Sequence, residues 1–237
     1  LSGWAYQNAV EISDSSVTAE TLAGGWAEHE KQTLTDSGEH LFSIGYQANQ
    51  NSVTSQGSQL DANVYGGRVS FVDDVNPSGT ADLTPASASG NFVHLDETSV
   101  TGNIYGGSAE GEISSANNNF VWLTHAQVAG DVYGGQAIGV QSSSLRNEVI
   151  LQDTSVSGDI YASSAAQSGN NTVTLSGKTY VGGTIYGGNG GNNQLTLLNF
   201  QSTNPLQLNG FDRPYLISGA NTSVTFAQTV DRAEVYV

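Results

Sequence analysis

An all-β chain, wound as a single-stranded parallel β-helix, is predicted by three features of the sequence. A motif ending in tyrosine and two glycines recurs. It reads V-T-G-N-I-Y-G-G at Val100 to Gly107 and returns as Asn63-Val64-Tyr65-Gly66-Gly67, Asp131-Val132-Tyr133-Gly134-Gly135 and Thr184-Ile185-Tyr186-Gly187-Gly188, while Asp159-Ile160-Tyr161 runs on into Ala162-Ser163. An asparagine stands about 14 residues upstream of each tyrosine, at Asn51, Asn91, Asn119, Asn147 and Asn171. Each asparagine opens a run in which apolar residues alternate with polar ones, as in Asn91-Phe92-Val93-His94-Leu95, and that period of two is the period of a strand.

In chain order, residues 1–25 are expected to form a degenerate first rung, with Asn8, Val10, Ile12, Val17, Leu22 and Gly24-Gly25 where later units have asparagine, apolar residues and glycines. Residues 26–50 and 68–90 are expected to be long inserted loops, leaving one corner of the coil near its N-terminal end. Residues 51–199 carry the regular rungs, and Asn193-Gln194-Leu195-Thr196-Leu197 is a fading last copy. In residues 200–237, Pro205, Asn209-Gly210 and Arg213-Pro214 loosen the pattern, so irregular rungs or a cap covering the open strand edges are expected there. Short strands of this kind cannot bury their own apolar faces, so units must stack into one elongated domain. The expectation is about 7 to 9 rungs, right-handed, with Val93, Leu95, Val100 and Ile104 inward, Gly106-Gly107 at a corner and Tyr105 outward.

Composition narrows the function. Twenty-two acidic side chains face 6 basic ones, a formal charge of -16, which disfavours nucleic acid and anionic membrane surfaces as partners. There is no Cys, hence no disulfide or thiolate metal site. No apolar run approaches the roughly 20 residues that span a bilayer, so no membrane insertion by this segment is expected. The start, Leu1-Ser2-Gly3-Trp4, has no signal-peptide layout, and the absence of Met points to a processed or excised fragment.

The units N-x-V-x-L…V-x-G-x-I/V-Y-G-G, in a Cys-free, acidic, Gly/Asn/Ser/Thr-rich chain, resemble the passenger domain of bacterial autotransporters over roughly Asn8 to Leu208. The resemblance implies export across the Gram-negative outer membrane and display at the cell surface or secretion. It also implies a noncatalytic role in adhesion, biofilm formation or autoaggregation, with a host surface receptor, a glycan or another copy of the chain as partner. Neither a membrane barrel nor a protease domain is expected within these 237 residues, and the repeat is longer and less regular than in the most uniform members.

Candidate sites follow from parity and charge. Tyr65, Tyr105, Tyr133, Tyr161 and Tyr186 are expected to form an exterior aromatic row, stacked at about 5 Å with each phenol free to meet solvent, serving as a cover or as a sugar-binding or self-association strip. Asn51, Asn91, Asn119, Asn147 and Asn171 are expected to form a structural ladder. Asp73 and Asp74, with Asp82, lie in a long spacer and would either bind Ca²⁺ or simply be solvated. His29, His40, His94 and His125 lack metal spacing, no cofactor is implied, and Asp36-Ser37-Gly38-Glu39-His40 lacks a nucleophile elbow. A carbohydrate-active lyase or hydrolase is the alternative. Lyases acting on acidic sugars need basic residues, which are few and scattered, whereas Asp131 and Asp159 would sit on adjacent rungs within the separation that hydrolases use.

Overall fold

The computed structural model describes residues 3–29, 45–71 and 85–236. Every strand pairing recorded between named strands is parallel, and the pairings make three long sheets, as in a β-solenoid; the first ends at Gln167–Gly169, the third at Gln207–Asn209, and only the second reaches Ala233–Tyr236. Sheet A holds six strands, sheet B nine and sheet C eleven. One regular turn shows how they connect. Ile113–Ser115 lies in sheet A, Phe120–Thr124 in sheet B, and Gln127–Val128 and Val132–Ile138 in sheet C.

The register keeps equivalent residues together. Phe120 pairs with Phe92 and with Glu148, and Tyr105 with Tyr65 and Tyr133. The alternation read from the sequence is realised between sheets B and C. Val93, Leu95, Val100 and Ile104 are at most 2% exposed and stack on Val121, Leu123, Val128 and Val132 in one aliphatic core. A one-residue slip would turn all of them to solvent, so burial itself enforces the register.

Two corners of each turn are single left-handed residues. Between sheets A and B they are Gln50, Gly90, Asn118, Arg146 and Asn170; between B and C they are Gly57, Glu97, His125, Asp153 and Gly177. Left-handed backbone costs a non-glycine residue roughly 1–2 kcal/mol. At the A–B corner the left-handed residue is followed by an asparagine whose own backbone N–H is held by the carboxamide of the equivalent asparagine on the next turn.

The Gly-Gly pair behaves differently from its expected role as a turn. Gly106-Gly107 lies inside one strand, Ile104–Glu110, with no positive φ at either residue. Inward parity nevertheless changes across it, from Ile104 to Ala109, so the pair is a bend within a strand. Space, not φ, requires glycine here. A Cβ on Gly107 would press into the Ala88 carbonyl oxygen and lie 2.7 Å from the Asn119 carboxamide.

Beyond the bend the strand continues into what the sequence presents as spacer. Ser16–His29 and Gln59–Phe71 run on in sheet C, and Tyr46–Asn49 and Pro85–Ser87 belong to sheet A. The spacers of 26–50 and 68–90 are therefore strand at both ends, and only 30–44 and 72–84 fall outside the described residues. The strands escape an apolar count because, Tyr46 apart, their core is built of small residues such as Ala27, Ala48, Val69, Ala88 and Ala109. In the tail, Gln207–Asn209 joins sheet C, and Tyr215–Ser218 and Ala233–Tyr236 join sheet B. Among the described residues no helix is long and apolar enough to cross a membrane.

Candidate functional site

The asparagine ladder runs between the aliphatic core and the alanine core, and its five expected members are at most 1% exposed. Each backbone N–H donates to the side-chain oxygen one turn along. Asn51 donates to Asn91, Asn91 to Asn119 and Asn119 to Asn147, each at 2.9 Å, then Asn147 to Asn171 at 3.0 Å. The row extends past the five expected members to Asn8 at one end and Asn193 at the other. It ends on Asp212, which accepts the N–H groups of Asn192 and Asn193, both at 2.7 Å, and these bonds hold its carboxyl below the usual range. Buried backbone donors at a corner have no sheet partner, so the ladder supplies one.

The tyrosine row is present and stacked. Ring centroids are 4.5 Å apart for Tyr65–Tyr105, 4.7 Å for Tyr105–Tyr133, and 4.6 Å for both Tyr133–Tyr161 and Tyr161–Tyr186, with planes within 8° of parallel. Its phenols are not all free, as parity alone had implied. Tyr65 and Tyr105 are 9% and 8% exposed. The Tyr105 hydroxyl accepts from Asn103 at 3.1 Å, Tyr133 donates to Asp131 at 3.3 Å and Tyr161 to Asp159 at 3.0 Å. Burial, with the Asp159 hydrogen bond and charge behind it, pushes the Tyr161 phenol up to about 12, and burial with the Asp131 charge raises Tyr133 further. At the N-terminal end, where Ala23 supplies no ring, the Arg68 guanidinium covers Tyr65 at 5.0 Å and Trp26 at 4.9 Å.

Asp131 and Asp159 do stand on adjacent turns, but both carboxylates are engaged. Asp131 Oδ1 accepts the Asp159 N–H and Asp159 Oδ1 accepts the Thr184 N–H, while the second oxygen of each takes a tyrosine hydroxyl. With Asn63 and Asn103 they form a second ladder, on the outside of the coil. Asp73, Asp74 and Asp82 lie outside the described residues, as do His40 and the Asp36-Ser37 segment.

The structure brings together a group that strand parity did not single out. On the outer face of sheet B, Phe92 and Phe120 pair at 5.4 Å, and His94 stacks on Trp122 at 4.4 Å and 20°, with Trp122 37% exposed. Ile150 continues the Trp122 column on the next turn. Aligning the repeats on their asparagines reveals the cluster, since Phe92 and Phe120 follow the asparagine directly and His94 and Trp122 come two residues later. On the N-terminal side the columns shrink to Ser52 and Thr54, leaving a depression of about 440 Å³ lined by Glu11, Thr54, Gln56, His94 and Asp96. At the neighbouring B–C corner, His125 lies 3.5 Å from Asp96 and 4.0 Å from Asp153.

Comparison of this chain with protein-family models, with curated proteins and with solved structures finds no match.

Proposed function

We propose that this chain is a noncatalytic, right-handed β-helix of seven to nine rungs, displayed at or secreted from a bacterial surface, that mediates adhesion or cell–cell self-association. The observation that carries the proposal is the patch of Phe92, His94, Phe120 and Trp122 on the outside of sheet B. Aromatic side chains grouped on an exterior face are characteristic of contact surfaces, and a rigid sheet holds them at little entropic cost to binding. The tyrosine row serves this function as scaffold, because its rings stack on one another and three of its hydroxyls are bonded within the coil. The asparagine row is likewise internal structure.

A carbohydrate ligand is the second reading. It is favoured by the same patch, whose His94 ring lines one depression with the Asp96 carboxylate and the Gln56 carboxamide, which can bond hydroxyl groups. In the self-association version, two copies of net charge -16 repel, so aggregation is expected to strengthen as added salt screens the charge.

Display of the chain on a bacterium that neither adheres nor aggregates tests the proposal. Wild type should confer adhesion to host cells or sedimentation of the culture. The pair His94→Ser and Trp122→Ser should lower either by at least about ten-fold while the purified variant keeps its melting temperature within a few degrees, since both residues face outward. Unchanged adhesion and aggregation in the double variant would sink the assignment of this face.

A further inference from the structure

We propose that the depression beside His94 receives the guanidinium of an arginine carried by a basic partner protein. The proposal rests on the binding role of sheet B and names the partner's chemistry.

The depression is a gap in an aromatic column. In register across sheet B, Glu11 pairs with Thr54, Thr54 with His94 and His94 with Trp122. The Trp122 and His94 rings stack, and there the column of rings ends, because Thr54 is too short to add a plane and Glu11 beyond it carries a carboxylate. One strand spacing is about 4.8 Å, close to the distance at which a planar group stacks on a ring. Whatever fills the gap meets the His94 ring on one side and the Glu11 and Asp96 carboxylates around its rim, with no lysine or arginine in the lining among the described residues.

The same molecule already solves this problem once. In the tyrosine row, Ala23 occupies the place where the next ring would stand, and the Arg68 guanidinium covers Tyr65 there. Its Nη1 donates to the Thr21 hydroxyl at 2.9 Å, so a planar cation ends that stack. The His94–Trp122 column has the missing ring and a polar threonine, with carboxylates in addition, but among the described residues no arginine covers it.

Arginine suits the gap better than lysine does. Its charge is spread over a flat group that stacks on aromatic faces, and its paired N–H donors match a carboxylate. An anionic ligand would meet Glu11, Asp96 and a chain of net charge -16. A second copy of the chain would bring that same net charge, so the geometry favours adhesion to a basic partner over self-association.

Calorimetric titration of the full chain at about 0.15 M salt, a condition that screens nonspecific attraction, tests this with three probes: tri-arginine, tri-lysine and the neutral oligosaccharide maltohexaose. Tri-arginine is expected to bind with a Kd at least ten-fold below that of tri-lysine. Thr54→Tyr, which would complete the column with its own ring, and Asp96→Asn should each weaken tri-arginine at least ten-fold, with Glu11→Gln as a third variant should Thr54→Tyr fail to fold. Equal affinity for the two peptides, or tri-arginine binding that survives Thr54→Tyr and Asp96→Asn, would overturn the proposal. So would binding of maltohexaose alone, which would instead support the carbohydrate reading. If tri-arginine does not bind while the His94 and Trp122 variants still abolish adhesion, only the guanidinium falls; if adhesion is also unmoved, the role of sheet B falls with it.

Discussion

Two hydrogen-bonded ladders climb this coil in parallel, and they differ in the one atom that separates asparagine from aspartate. The inner ladder is asparagine from Asn8 to Asn193, whereas the outer one reads Asn63, Asn103, Asp131, Asp159. In both, one side-chain oxygen accepts a backbone N–H from the adjacent turn. The second atom decides the residue. In the inner ladder it faces another oxygen, as Asn119 Nδ2 faces Asn147 Oδ1 at 3.2 Å, and only an N–H donor is tolerated there. In the outer ladder it faces a tyrosine hydroxyl, which can donate to Asp131 or accept from Asn103, so either residue serves. Burial sharpens the choice, because Asn119 is 1% exposed and a carboxylate in its place would be desolvated with no counter-charge and with its second oxygen facing Asn147 Oδ1.

Asn119→Asp should therefore be the most damaging single change in either ladder. It sets oxygen against oxygen and buries an unpaired charge, and a loss of about 3–5 kcal/mol in chemical denaturation is expected. A loss below about 1 kcal/mol would show that the inner ladder is not selective. Replacing Tyr105 and Tyr133 together by Ser removes three of the four ring contacts and leaves Asp131 without its phenol. About 3 kcal/mol should be lost, with adhesion per folded molecule unchanged. Impaired adhesion in a variant that remains folded would instead make the row a binding strip.

Asp131→Asn is expected to cost less than about 1 kcal/mol, since Oδ1 still accepts the Asp159 N–H and the Tyr133 hydroxyl can accept where it formerly donated. A cost equal to that of Asn119→Asp would erase the distinction between the ladders. The smallest effect is spectroscopic. With its folded pKa raised to about 12 against an ordinary value near 10, Tyr161 favours the protonated form in the folded state. Its contribution to stability is complete below pH 10 and is lost as pH rises from about 10 to about 12. Absorbance at alkaline pH should show late phenol ionisation whose amplitude falls by one tyrosine in Tyr161→Phe, while the Tyr133 contribution remains. An unchanged late amplitude in Tyr161→Phe would mean that the burial and the Asp159 hydrogen bond that raise this phenol are absent in solution.

How much of this was legible depended on what each position repeats. The inner ladder could be named from the sequence because asparagine is invariant from turn to turn, and the tyrosine row because ring and parity recur together. The strands of sheet A were hidden, since apart from Tyr46 their inward positions hold small residues, such as Ala48, Ala86, Ser142 and Ser144, instead of the large apolar residues by which a strand is recognised. The role of Gly-Gly was half legible. Its recurrence marked a change of direction, but the cause is the proximity of Ala88 and Asn119, residues from the preceding and following turns. The sheet B patch combines Phe92, His94, Phe120 and Trp122 from two copies of the repeat, and a motif search discards such positions because they vary.

The sequence by itself determined the period-two pattern, the unit that repeats, and which aliphatic residues are buried, because each of these depends on alternation within a few residues. Tertiary structure alone decided what the outward residues meet. Whether a phenol reaches solvent or a carboxylate, whether Asp131 is a free acid or a ladder acceptor, and where an aromatic column stops at Thr54 all depend on the neighbour one turn away, some 22 to 43 residues distant along the chain. In a stacked coil that neighbour is brought within hydrogen-bonding distance by the register, and the register is a property of the packed core.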